Sequence, residues 1–433
     1  MTRFQFLIFV LALVVASSPA DAGSMTSSET ITPGTKITMA NWQQYRQFMP
    51  DGMQALFEGK YFWKMPPNAE MVVGPTVIHP LPKEYLAATE KYSSGVKVVA
   101  LPNGGYNLTG YVAGIPFPNP QEPQRGWKML ANVWYRYLPH LIVATPANLT
   151  QLCVQDSYNN ISCTKESFVY RQLQHNTDPG IPMVVPGAPP KDYTEWSMVE
   201  QPEELKYKAS LTIFYQDLTQ PEDIYAFIPE LRRSLRGSTA SRCAPAFGSD
   251  LTPDDFRFGF NGNITRFNAA VLGEKKILAL TEYSTASGNF PANYDMPLGW
   301  PKPLWGNWEL RDVYVLDVRR IPSQTAGYCY GKRIMYVDKV AWAPLWEDLY
   351  DSNMQLWKIV SLMPRTRNVP GAGIQMVSGS QVTQAWDVIR KHATHFMDPT
   401  PDGRDTYVNS EAPSEYLNVT KYCGPAGLNE IMR

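Results

Sequence analysis

Between Lys206 and Leu218 apolar and polar residues alternate. Tyr207, Ala209, Leu211, Ile213 and Tyr215 fall on one face. Lys206, Lys208, Ser210, Thr212 and Gln216 fall on the other, with Phe214 the exception. A period of two is the signature of a half-buried strand. Turn residues at Thr219 to Glu222 lead to a second run, Ile224–Ile228, and Pro229-Glu230 leads to a third, Leu231–Arg236. Similar runs recur at Lys276–Leu280, Arg311–Arg319, Lys332–Val340, Leu345–Tyr350 and Gln355–Leu362. Short strands separated by turn residues predict one antiparallel sheet or barrel. Helical spacing is confined to a few stretches. Trp42, Tyr45 and Phe48, then Met53, Leu56 and Phe57 beyond Pro50-Asp51-Gly52, predict a broken helix over 41–59. Pro82–Tyr92 and Trp127–Leu138 predict two more, and Val382, Trp386, Ile389, Ala393 and Phe396 predict a buried helical stripe over 381–396.

The N-terminal residues have a different layout. Arg3 precedes the unbroken apolar run Phe6–Ala16, and Ala20-Asp21-Ala22 follows it. This is the pattern of a secretory signal cleaved before Gly23, and the run is shorter than the roughly 20 apolar residues a spanning helix needs. The mature chain is therefore expected outside the cytoplasm. Prolines cluster at Pro116, Pro118 and Pro120, and again at Pro179, Pro182, Pro186, Pro189 and Pro190. The second cluster reads either as a boundary between halves or as one long surface loop. The working division is a signal over 1–22, a helical and extended portion over 23–200, a sheet over 201–365, and a C-terminal helix and tail over 366–433. One continuous domain over 37–433 is the alternative.

Composition narrows the function. The formal net charge is −1, so nothing favours nucleic acid as a partner. Charged residues make up 18 %, below the roughly 25 % usual for soluble domains, while Trp (12), Tyr (24) and Pro (37) are abundant. Such a chain has much apolar surface to hide. The five cysteines form no C-x-x-C pair, which argues against a zinc or thioredoxin-type site. In an exported protein they are expected to oxidise. Cys153 and Cys163 flank the turn-forming Asp156-Ser157-Tyr158-Asn159-Asn160 and are the expected disulfide. A second bridge among Cys243, Cys329 and Cys423 leaves three pairings open.

Two passages resemble the lipoprotein-carrier (LolA-like) superfamily of bacteria. One is YAFIPELRRSLR followed by Gly248-Ser249-Asp250 and LTPDDF. The other is KRIMYVDKVAWAPLWEDLYDSNMQLWK over Lys332–Lys358, in which Asn353 stands where glycine is usual. More specifically, GIPFPNP, SRCAPAFGSDLTPDDFRFGFNG (241–262) and YCYGKRIMYVDK (328–339) are similar to a bacterial family named as domain of unknown function 1329. The resemblance implies an α+β, mainly β fold: a large curved antiparallel sheet, an open half-barrel, with helices packed on its concave side. It implies a periplasmic carrier or chaperone for a hydrophobic or lipid-like molecule, acting with an inner-membrane permease and an outer-membrane protein. Phe214, Phe227, Met335, Trp346 and Trp357 are then the candidate ligand-lining residues, with ordinary core packing as the alternative for each. No catalytic residue and no cofactor is implied.

Other chemistry is weaker. His392 and His395, with Asp398 nearby, could hold a metal on one helical face, but the glutamate of a metalloprotease helix is absent from the pair. Asp254-Asp255 and Glu347, Asp348 and Asp351 are the acids a carbohydrate-active enzyme would need. Yet Glu347 and Asp348 should point to opposite faces of a strand, and Asp254-Asp255 after Thr252-Pro253 reads as a helix start. There is no G-x-S-x-G, P-loop or G-x-G-x-x-G. A carrier, a structural adaptor docking a permease or outer-membrane protein, and a carbohydrate-active enzyme remain, in that order.

Overall fold

The computed structural model describes residues 30–238, 242–283, 290–398 and 405–432. The secretory signal expected over 1–22 and its expected cleavage before Gly23 lie outside them. Fifteen strands form one sheet. In chain order they are β1 (Leu141–Ala144), β2 (Thr150–Gln155), β3 (Ile161–Gln172), β4 (Lys191–Gln201), β5 (Ala209–Tyr215), β6 (Asp223–Ile228), β7 (Arg233–Arg236), β8 (Phe267–Tyr283), β9 (Gly306–Arg320), β10 (Lys332–Asp338), β11 (Pro344–Tyr350), β12 (Leu356–Pro364), β13 (Gln381–Asp387), β14 (His392–Asp398) and β15 (Tyr407–Val408). Their order is β7-β6-β5-β4-β3-β2-β14-β13-β12-β11-β10-β9-β8, with β1 also on β3 and β15 on β1. The sheet is not closed into a barrel, because β7 and β8 do not pair. Neighbours along the path pair antiparallel. The β2–β14 pairing joins β1 to β4, which lie in the 23–200 portion expected to be helical and extended, to the C-terminal hairpin, so the sheet is not confined to 201–365 but draws its strands from Leu141 to Val408.

The strand runs read from the sequence are strands here. The helix expected over 381–396 is instead the β13–β14 hairpin, turned at Val388–Lys391. Asp387 accepts from the amides of Ile389 (3.1 Å) and Arg390 (2.7 Å), and Lys391 takes the left-handed conformation. Trp386 and Ala393, set one above the other in the helical reading, face each other across the hairpin. Both faces of these strands are covered, so the polar alternation that marks a strand is missing. The proline cluster at 179–190 forms the connection between β3 and β4, which pair directly.

Short helices pack on both faces. On one face, α1 (Asp51–Glu58) brings the Gly52 amide to Asp348 Oδ2 (3.0 Å), and a Cβ at Gly52 would lie 2.9 Å from Ile359. Further along the same face, β4 and β5 pack Trp196, Ala209, Leu211 and Ile213 with Phe227 of β6 against Tyr422 and Leu428 of two one-turn helices near the C-terminus. On the opposite face lie a ten-residue helix over Arg125–Trp134 and the segment 242–262. The 125–134 helix is the one expected over Trp127–Leu138, ending four residues early. The 41–59 stretch divides into a 3-10 turn (Trp42–Phe48) and α1, broken at the expected Pro50.

Candidate ligand cavity

A cavity of about 290 Å³ lies between the sheet and the segment 242–262. Its floor is one face of the strands, read by the alternation. Ser210, Thr212 and Phe214 come from β5, and Glu195 and Ser197 from β4. Glu166, Phe168 and Tyr170 come from β3, Thr150 and Leu152 from β2, and Phe396 from β14. The register confirms that these positions share a face: Ser197 pairs with Ser210, Glu195 with Thr212, Glu166 with Thr150, and Phe396 with Leu152. The polar side of the Lys206–Leu218 alternation therefore looks into a covered cavity. Phe214, the exception in that pattern, stacks on Tyr193 at 4.2 Å and meets Trp134 edge-on. The cover is more apolar, with Leu251, Pro253, Phe256 and Phe258 turned to the cavity.

The cover is held by buried charge. Thr252 and Asp255 form a capping box around the single turn Pro253–Asp255, as the Thr-Pro-Asp-Asp order suggested. Asp254 receives Arg242, Arg320 (3.4 Å) and the Tyr328 hydroxyl (2.8 Å). Burial alone would raise its pKa, but Arg242 and then Arg320 hold the carboxyl below the usual range. Arg242 also binds Glu222 at 2.7 Å. Arg333 bridges Asp255 of the cover and Glu347 of β11. Burial pushes Glu347 up to about 8 against the pull of Arg333. Cys243–Cys329 ties the start of the cover to the approach to β10, and Cys153–Cys163 bridges β2 and β3. Cys423 is free and buried.

Arg257, Phe258 and Gly259 all have positive φ (52°, 56° and 101°). For the two larger residues this costs of order 1 kcal/mol each. Arg136 offsets it by donating to the carbonyls of Arg257 and Phe258. At Gly259 any Cβ would lie 2.7 Å from Leu362, so the close approach of cover to sheet requires glycine.

Of the five lining candidates, the cavity brings in Phe214 alone. Phe227 is buried in the cluster with Leu211 and Leu428 on the opposite face. Met335 and Trp346 are fully buried in the main core, where Trp346 donates to Asp348 Oδ1 at 3.0 Å. Trp357 is half-buried at the start of β12 and donates to Asp387 Oδ2 at 2.8 Å. Phe227, Met335 and Trp346 are placed by core packing, and Trp357 packs half-exposed against Tyr330 outside the cavity. Aromatic identity signals burial without saying on which face.

The alternative chemistries find no support in geometry. Glu347 and Asp348 point to opposite faces, toward Arg333 and toward Gly52 respectively. Asp351 accepts from the amides of Asn353 and Gln355 in a turn, whose left-handed residue is Met354. His392 and His395 lie on a strand, so their odd spacing sends them to opposite faces. No cluster of metal-ligating side chains is found among the described residues.

A family model described as "Protein of unknown function (DUF1329)" matches residues 36–422. No curated protein matches the sequence. Among solved structures the fold is similar to a DUF1329 family protein from Desulfovibrio piger (13 % identity, 70 % of this chain and 100 % of that one, TM-score 0.46). It is also similar to a domain described as an outer membrane lipoprotein-sorting protein domain from Vibrio parahaemolyticus (13 %, 68 % and 96 %, 0.46). A LolA superfamily protein from Nitrosomonas europaea is more distant (12 %, 60 % and 85 %, 0.35).

Proposed function

The chain belongs to the DUF1329 family, and from that premise and its cavity we propose that it is a non-catalytic carrier or chaperone for a hydrophobic, lipid-like molecule. The cavity carries the reading: about 290 Å³ lined by Leu152, Phe168, Phe214, Leu251, Phe256 and Phe396. That is near the lower end of the roughly 300–1,000 Å³ typical of ligand pockets, a size suited to one chain or a compact ring system. The two disulfides favour an oxidising compartment and so the periplasm. There the protein would hand its cargo to or from an envelope transport system, an inner-membrane permease and an outer-membrane protein.

The carrier reading is tested by displacement of a fluorescent apolar probe from the purified full chain, alongside Thr212→Trp. The indole at position 212 occupies the cavity from its floor. Binding by the wild type and its loss in a variant that melts normally is the expected result. Equal binding by both would place the probe elsewhere and remove the cavity from the account.

A further inference from the structure

The cavity's charged groups are unequally partnered. Arg242 is held by Glu222 and Asp254, and Asp255 by Arg333. Glu195 accepts from Asn261 Nδ2 at 3.0 Å. Ser197 and Ser210 satisfy each other at 2.9 Å. Glu166 is different. It is 6 % exposed, lies on the cavity floor, and forms no ion pair with any described residue. The Thr164 hydroxyl, at 3.3 Å, is its only side-chain donor among them. Its neighbour across the strands, Thr150, spends its hydroxyl on the Glu166 main-chain carbonyl (3.2 Å) and gives nothing to the carboxyl.

We propose that the cavity's ligand carries a hydrogen-bond donor, a hydroxyl or an ammonium group, on its apolar body, and that the Glu166 carboxyl receives it. The inference rests on the carrier reading and specifies its cargo. A carboxyl buried on a cavity wall with one neutral hydroxyl donor and no counter-charge is costly, and such groups are ordinarily given a partner. Burial pushes Glu166 up to about 7, the mark of a carboxyl with no cation beside it. A donor on the ligand supplies the missing partner, while hydrocarbon fills the space against Phe168, Leu152 and the apolar cover. A carboxylate or phosphate head at that position would meet like charge. Arg257 is the competing anchor: its Nε and Nη1 have no hydrogen-bond partner among the described residues, and its guanidinium lies 4.1 Å over the Tyr193 ring. An anionic head group would go there.

The test is a competition series on the full chain at pH 8 with 1-dodecanol, dodecylamine, dodecanoate and methyl dodecanoate displacing one apolar dye. Dodecanol or dodecylamine should bind about ten-fold or more tightly than dodecanoate, and whichever leads identifies the head group as hydroxyl or ammonium. Glu166→Gln should weaken that leader by about ten-fold and leave methyl dodecanoate unchanged. Dodecanoate binding tightest, four equal affinities, or an unaltered preference in the variant would each overturn the donor assignment while leaving the carrier reading in place. Failure of all four to displace the dye would overturn both. Should Glu166→Gln not fold, the wild-type ranking decides alone.

Discussion

Acidification should weaken the protein through one histidine whose surroundings fit only the neutral ring. His395 is fully buried between Phe290, stacked at 4.0 Å, and Tyr294. The Gln384 amide nitrogen, which also donates to Gly299 O at 2.7 Å, is 3.1 Å from Nδ1, so Nδ1 must accept. Nε2 donates to Gln155 Oε1 at 3.3 Å. A proton on Nδ1 would set two donors against each other in a dry site. Burial accordingly lowers the pKa from 6.5 to about 3. Because the folded pKa is depressed, the unfolded chain binds the proton first. Stability is whole above pH 6.5 and is lost as pH falls toward 3. At pH 4.5 the loss is about 2.7 kcal/mol, two pH units at 1.36 kcal/mol each. Glu166 and Asp348, pushed up to about 7, and Glu347, at about 8, act in the opposite sense. Total stability therefore cannot isolate the effect. Urea unfolding followed by tryptophan fluorescence at pH 7 and pH 4.5, in the wild type and in His395→Gln, separates the terms. The wild type should lose about 2–3 kcal/mol more than the variant between the two pH values. Equal losses would show that the ring is protonated in the folded state or that water reaches it.

Three further outcomes follow from the packing. Phe227→Asp and Trp346→Asp should unfold the protein or lower its stability by more than about 4 kcal/mol, because both positions are core. Thermal melting checks this, and a folded variant that merely binds less ligand would return that residue to the cavity wall. Replacing Cys243 and Cys329 together by serine should cost up to about 4–5 kcal/mol in the chain-entropy model, given their separation of 86 residues, and should speed exchange of cover amides at 242–262. Hydrogen exchange by mass spectrometry reads both, and unchanged protection of the cover would contradict the anchoring role. Losing Cys153–Cys163, only 10 residues apart, should cost about 2–3 kcal/mol and leave the cover's exchange unaltered, which the same measurement checks.

The strands β5 to β12 were legible because they alternate or run between turn residues, whereas β1 to β4 fall in the stretch read as helical and extended and were not. Cys153–Cys163 was legible because a turn sequence separates the pair. The β13–β14 hairpin was not. With both faces buried, Val382, Trp386, Ile389 and Ala393 fit a helical stripe as well as a strand pair, and only the partner strands β12 and β2 decide. Ile389, counted as buried in the helical reading, is 48 % exposed in the turn. The cavity was harder still. Ser210 and Thr212 read as a solvent face, because a sequence does not say that 242–262 folds back over them. Phe214 alone broke the pattern, and it alone of the five candidates reaches the cavity. Asp254 and Asp255 were readable as a helix start, but their roles in the buried network depend on Arg242, Arg320 and Arg333, which are distant in the chain.

In the proposed function the space under 242–262 holds an apolar cargo. Native mass spectrometry of protein purified without detergent from its source cells tests it most directly. The expected result is a non-covalent adduct of one molecule per chain, released on denaturation, extractable into organic solvent and absent from Thr212→Trp. Bare protein mass in both, together with no uptake of any apolar probe by the folded wild type, would contradict it.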